Sequence, residues 1–377
     1  MKKSLYISML VIAVVVMMAT LSLSGCTAAA ATTAAAETTA AAATTAAAET
    51  TAAAETTAAA KDSGIPGFTL APWITEKIAA GDFTKLKIVA VYQNTSVNFF
   101  QLLKGGVDGA AKELKIDASA TGPSTANVDE QVNIIEGLIT NKVDGIVTDI
   151  INPEALNGVI DKAMAAGIPV VTFNSDADGS KRIAFYGQDL KNSGVVCAEA
   201  LIEFMGDTGD VMLVSGDLAA TWSQGRMEGN KEVLAKLSGI KVVLDLNAGQ
   251  GGFDEAQVYA DIENAFKANP TVKGVASMDA VTTPAVGRYI LRNNLVGKVF
   301  HTGQDWLPET LDNIDKGATQ VSLSQDPYGQ GFKAVEGIFN YLTKGTVPVN
   351  TDTGVARGDS TNVKDLLAKL AKGEPIG

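Results

Sequence analysis

The chain has 377 residues, 30 Lys+Arg against 42 Asp+Glu, a net charge of −12 and 46% hydrophobic residues. That acidic balance argues against nucleic-acid binding and against a polybasic grip on anionic lipid, since both need a surplus of cations. A single histidine, His301, argues against His-rich metal sites and most His-based hydrolase schemes.

At the N-terminus, Lys2-Lys3 precede an apolar run over 5–23 that closes on Leu23-Ser24-Gly25-Cys26. A positive start, an apolar middle and small residues at the end predict an export signal over 1–25. Leu-Ser-Gly-Cys resembles the bacterial lipobox, which implies cleavage before Cys26 and lipid on its thiol. An uncleaved transmembrane helix is the competing reading, because the run is nearly long enough to span a bilayer. Small residues and a cysteine make a poor end for such an anchor. On the lipobox reading the rest of the chain works outside the cytoplasmic membrane, held there by its lipid alone. Cys197 then has no disulfide partner, and its apolar setting, Gly194-Val195-Val196-Cys197-Ala198, predicts a small core residue.

Residues 27–60 contain only Ala, Thr and Glu. They offer no amphipathic face and nothing to bury, so they read as a spacer, roughly 50 Å long if helical. A lead-in with Pro66, Pro72 and Trp73 follows, so 26–85 is expected to be anchor, linker and lead-in.

From Leu86 onward, about 290 residues remain, too many for one ordinary core and suited to two domains. Short β-branched runs predict buried parallel strands at 87–91, 145–148, 169–173, 210–214, 241–246, 274–277, 299–302 and 320–323. Amphipathic stretches predict helices at 99–114, 128–140, 153–166, 190–205, 224–237, 253–268, 283–292, 308–316 and 328–342. Strand and helix alternate, which predicts an α/β protein of doubly wound parallel sheets, in two lobes with a cleft between them.

Ligands of open α/β sheets bind beyond the carboxyl ends of the strands. The residues there are Gln93 and Asn94, Asp149, Asn174 and Asp176, Asp279, Gln304, Asp305 and Trp306, then Gln325 and Asp326. Two helices add Phe99-Phe100 and Trp222, Gln224 and Arg226. Carboxylates accept from paired hydroxyls, amides donate and accept, and Arg donates in a fixed fork. Aromatic faces cover the C–H surface of a sugar ring. The set suits a small, neutral, hydroxyl-rich ligand, although each polar residue alone could merely cap a helix or tighten a turn.

Five segments carry a family resemblance: Val97-Asn98-Phe99-Phe100 with Lys104-Gly105-Gly106; Ile168 to Asp176; Gly225-Arg226-Met227-Glu228-Gly229; Thr302-Gly303-Gln304-Asp305; and Ser324 to Gly331. In this order and spacing, the region from about Leu86 to Val355 resembles the ribose-type periplasmic substrate-binding proteins of ABC sugar importers. The resemblance implies the type I periplasmic binding protein fold, with two lobes joined by a three-segment hinge. The first lobe would comprise 86–187 plus 326–352 and the second 188–325 plus 353–377. It implies capture of a monosaccharide or polyol, delivery to a membrane permease, a monomer, and no cofactor or catalysis. By residue, it puts Phe99 and Phe100 on the sugar ring and Asn174 where many members carry Asp. Gln224 or Arg226 falls at the edge of the second lobe, Asp305 at a ligand carboxylate and Gln325 at a hinge amide. Asn98 stands where Pro is usual, Asn174-Ser175 where Asp-Arg is frequent, and Met278 where a ligand Asn is common.

Other signals point elsewhere. Asn174-Ser175-Asp176-Ala177-Asp178-Gly179 matches the first half of a calcium loop, but Phe185 occupies the position of the closing Glu. Gly249-Gln250-Gly251-Gly252 precedes a helix without Lys or P-loop spacing and reads as a mobile βα loop. Two rivals share the sequence: a sugar sensor of the same fold serving a chemoreceptor or kinase, and a secreted glycosidase using Asp149, Asp279 or Asp305.

Overall fold

The computed structural model describes residues 64–251 and 253–376. The export signal, Cys26 and the Ala/Thr/Glu spacer lie outside the described residues. Helix α1 (Pro72–Ala80) opens on Pro at its first turn, where no amide partner is lost, and stops at Gly81 in the left-handed conformation. Its Ile74, with Phe68, Ala71 and Leu86, is buried in the first hydrophobic core. The stretch predicted as a lead-in is therefore part of that core, which the sequence pattern understated.

The chain continues through β1 (Lys87–Val91), α2 (Phe99–Leu114), β2 (Asp117–Thr121), α3 (Val128–Thr140), β3 (Gly145–Thr148), α4 (Pro153–Ala165), β4 (Val170–Phe173) and β5 (Phe185–Gly187). A second series follows: α5 (Leu190–Met205), β6 (Thr208–Ser215), α6 (Thr221–Leu234), β7 (Gly239–Asn247), α7 (Glu255–Ala268), β8 (Val272–Ser277), α8 (Thr282–Arg292), β9 (Phe300–Gln304), α9 (Pro308–Asp315) and β10 (Val321–Ser324). The C-terminal part holds α10 (Pro327–Lys344), β11 (Thr351–Asp352), β12 (Ala356–Asp359) and α11 (Val363–Ala371). Asn127, Asn152, Asp189 and Asp254 each cap a helix by accepting a backbone N–H of its first turn.

Two six-stranded sheets result, ordered β11-β5-β4-β3-β1-β2 and β12-β10-β9-β8-β6-β7. The two orders match strand for strand, and only the edge strands β11 and β12 differ in direction. All pairings are parallel except β10 with β12. The chain leaves the first sheet after β5, returns between β10 and α10, and leaves again between β11 and β12. These crossings are tied together: Thr353 N donates to Gly187 O at 2.9 Å, Thr353 Oγ1 to Gln325 O at 2.7 Å, and Gln188 Nε2 to Gly354 O at 3.2 Å.

Glycines set the helix packing beneath the cleft. A Cβ on Gly106 of α2 would lie 2.0 Å from Tyr328 O of α10, and one on Gly194 of α5 would lie 2.1 Å from Arg226 O of α6. Backbone thus meets backbone in each lobe, and only a hydrogen side chain fits. The second contact fixes the helix that carries Arg226.

Candidate functional site

A cavity lies where the carboxyl ends of the two sheets face each other. It holds about 560 Å³ of space not filled by atoms, part of it open to solvent, a size usual for small-ligand sites. Gln93, Asn94, Val97, Phe99, Phe100, Ala126 and Asn174 line it from the first lobe. Trp222, Arg226, Phe253, Asp279, Ala280, Val281 and Asp305 line it from the second, and Gln325 from the hinge. Ala280 and Leu307, carried by loops of the second sheet, also belong to the first lobe's core cluster, so apolar contact crosses the cleft.

The aromatic walls face each other. Phe99 and Phe100 open α2 edge to face, with centroids 5.5 Å apart, and Tyr92 stacks behind Phe100 at 5.9 Å. Opposite them, Trp222 packs on Phe253 at 6.3 Å. Phe253 has φ 55°, an uncommon left-handed conformation for an aromatic residue, just before the cap of α7. The sequence had placed it as an ordinary first residue of that helix.

The charged groups are in the second lobe. Asp305 follows β9 with φ 68° and is 4% exposed. Its Oδ1 accepts from Gln325 Nε2 at 2.8 Å, while Oδ2 has no partner among the described residues. Burial raises its pKa, and the charge of Arg226 and the Gln325 hydrogen bond offset part of that rise. Arg226 donates to Met278 O at 2.8 Å and to Gln188 Oε1 at 3.0 Å. Its Nε is buried without a partner, so one strong donor is left over. Burial lowers the guanidinium pKa, and the charges of Asp305 and Asp279 act against that.

Not every residue singled out from the sequence reaches the cavity. Gln224 sits two positions from both Trp222 and Arg226, hence on another face of α6; it is exposed and donates to Ala219 O at 3.2 Å. Trp306 turns away from Asp305 into a separate cluster under α11, with Nε1 donating to Ser322 O at 2.8 Å. Asp176 is taken by Arg182 and by the Thr172 hydroxyl. Asp149 lies behind the lining, fully buried, and accepts from Gln93 Nε2 at 3.0 and 3.2 Å and from Asn174 Nδ2 at 3.1 Å. Asp279 does line the cavity, but both its oxygens are occupied by the backbone N–H groups of Gly216, Val281 and Thr282 and by the Thr282 hydroxyl, each at 2.8–2.9 Å. His301 lies inside β9 between Ser277 and Thr319, and burial pushes its pKa down to about 3.

Residues 88–346 match the family described as Periplasmic binding protein domain. The chain belongs to this family. It is 28% identical to the xylose/arabinose-binding protein of Sulfolobus acidocaldarius over 298 residues, 74% of this chain and 73% of that one. It is 27% identical to the D-galactose/methyl-galactoside binding periplasmic protein of Haemophilus influenzae, over 72% of this chain and 84% of that one. A solute-binding protein of an ABC transporter from Burkholderia graminis, solved with D-arabinose, superposes with a TM-score of 0.71 at 28% identity, covering 74% of this chain and 97% of that one. The two-sheet fold is thus that of the type I periplasmic binding proteins. The family works outside the cytoplasm, and among the described residues no helix is long and apolar enough to cross a membrane.

Proposed function

We propose that this binding protein captures a monosaccharide or similar polyol between its lobes and delivers it to an ABC permease. The reading is carried by one observation: two buried polar groups with spare capacity, Asp305 Oδ2 and Arg226 Nε, lie on a cavity walled by aromatic rings from both lobes. The carboxylate accepts from sugar hydroxyls, the guanidinium donates to ring or hydroxyl oxygens, and the rings cover C–H faces. The sugars in the names of its relatives support the same class of ligand. Binding is non-catalytic: Asp279 is committed to its own loop. The first lobe comprises 86–187 plus 326–352, joined by the lead-in, and the second 188–325 plus 353–377. The protein acts as a monomer, exported by 1–25 and held at the membrane by lipid on Cys26, with 27–60 as its tether.

Because both lobes touch one ligand, the ligand binds the closed form best and shifts the population toward it. A thermal-shift screen of pentoses, hexoses and polyols selects the tightest ligand. Its addition is expected to lower the radius of gyration in solution scattering at the concentrations that saturate binding. A tightly bound sugar that leaves the scattering curve unchanged would refute the two-lobe clamp.

A further inference from the structure

Asp149 lies one residue past β3, beneath the first-lobe wall of the cavity but outside its lining. It is 0% exposed, and no cation pairs with it among the described residues. From β1 it faces Tyr92 and Gln93, from β4 Asn174, and from α3 Gln131, whose amide donates to the Asp149 main-chain oxygen. Of these only Tyr92 is ionisable, and burial raises its hydroxyl far above neutrality. Asp149 is therefore satisfied by side-chain amides and the backbone N–H groups of Gln93 and Ile150, all of them neutral donors.

Both amides that it holds line the cavity. A carboxylate only accepts, so it can hold Gln93 and Asn174 together only if each turns its NH₂ inward. Their carbonyl oxygens, which take no hydrogen bond within the protein, are then left for the ligand. A neutral carboxylic acid, or an Asn at this position, has one donor and one acceptor face. With Oδ1 still accepting from Asn174, the new donor on the Oδ2 side opposes Gln93 Nε2, 3.0 Å away, and finds an acceptor when Gln93 turns over and offers the ligand a donor instead.

We propose that Asp149 is a positioning residue: in its ionised form it fixes the Gln93 and Asn174 carbonyls toward the ligand, so that ligand affinity follows the ionisation of a group the ligand does not touch. This rests on the sugar-binding reading given above. Burial without a counter-charge pushes the Asp149 pKa up to about 7, the two amide hydrogen bonds restraining the rise.

Two measurements on the full chain test it. In the ligand-free protein, the side-chain amide resonances of Gln93 and Asn174 are expected to titrate together near neutral pH in the wild type and to stay fixed in Asp149→Asn. Calorimetry with the best sugar from the screen is expected to show affinity falling by up to tenfold per pH unit below 7. It should level off at the affinity of Asp149→Asn, in which this step is absent. Wild-type binding near pH 7 should release a fraction of a proton, measured in buffers of different ionisation heat; this arm needs no variant to fold. Amide resonances that do not titrate, a flat wild-type affinity profile, or a variant with the wild-type profile would each overturn the proposal. If no sugar binds while the amides still titrate, the sugar reading fails and the positioning of the amides stands.

Discussion

Asp305→Asn tests the assignment of the second-lobe carboxylate with little change of shape. The Asn carbonyl can still accept from Gln325 Nε2, which now lies 2.8 Å from Oδ1. What is lost is the negative charge and the second acceptor, the one oxygen of this carboxylate without a partner in the protein. A hydrogen bond to a charged group contributes about 1.5–3 kcal/mol net. At about 1.4 kcal/mol per tenfold, that loss weakens the dissociation constant roughly ten- to 150-fold. The group is 4% exposed, so solvent cannot replace the missing acceptor. Calorimetry at pH 8 measures the affinity, and thermal unfolding of the ligand-free protein shows whether the fold is retained. Gln224→Ala, on the exposed side of the same helix as Arg226, is the control and should leave affinity unchanged. A folded Asp305→Asn variant that binds the best sugar within twofold of wild type would show that this carboxylate does not receive the ligand.

Phe253→Ala removes one of the two second-lobe rings; with ring contacts contributing about 0.5–1.5 kcal/mol beyond buried area, affinity should fall at least roughly threefold by calorimetry, and an unchanged constant would place the ligand against Phe99 and Phe100 alone. Cys26→Ala should move the protein from the membrane fraction to a soluble or unprocessed form, and membrane retention equal to wild type would remove the lipid-anchor reading.

The sequence pattern made most buried elements legible and left the edges dark. Strands such as β3 and β4 are buried at every position, so their apolar runs stand out. Asp117–Thr121 of β2 is half-exposed at an edge and reads Asp-Ala-Ser-Ala-Thr, with no hydrophobic alternation to detect. The strands β5, β11 and β12 are two to four residues long and exist because the sheet supplies their partners. The same division holds in the site. Residues at strand ends could be collected from sequence because topology puts them beyond the sheet. Which of them face the ligand depends on single dihedral angles: the left-handed turn at Asp305 sends that residue to the cavity and Trp306 to the opposite side. Phe253 was hidden for the same reason, since its place comes from a run of positive φ at Gly249, Gln250 and Gly251 that no hydrophobic period reports.

The repeated strand order allows the two lobes to be compared position by position. Asn174 follows β4 and Asp305 follows β9, corresponding strands, and both residues take positive φ, 58° and 68°. Asn and Asp are the non-glycine residues that bear this conformation most easily, because their short polar side chains can bond locally. The backbone therefore demands a small amide or carboxylate at both points, and the choice between them sets the electrostatics of each wall. Asp149 and Asp279 lie near corresponding strand ends but one residue out of step, the first residue past β3 and the second past β8; the direct counterpart of Asp149 is Met278. Asp279 is held by its own loop's backbone, so Arg226 and Asp305 are the charged groups of this wall with capacity to spare. Asp149 spends its charge on two side chains that line the cavity, so the first lobe presents neutral acceptors backed by a hidden carboxylate. Similar strand ends thus carry a charged wall in one lobe and an amide wall in the other. A ligand gripped by both walls must bring hydroxyl donors to the amide oxygens and to Asp305 and an oxygen acceptor to Arg226, and a neutral polyol offers all of these without disturbing the balance between the Arg226 and Asp305 charges.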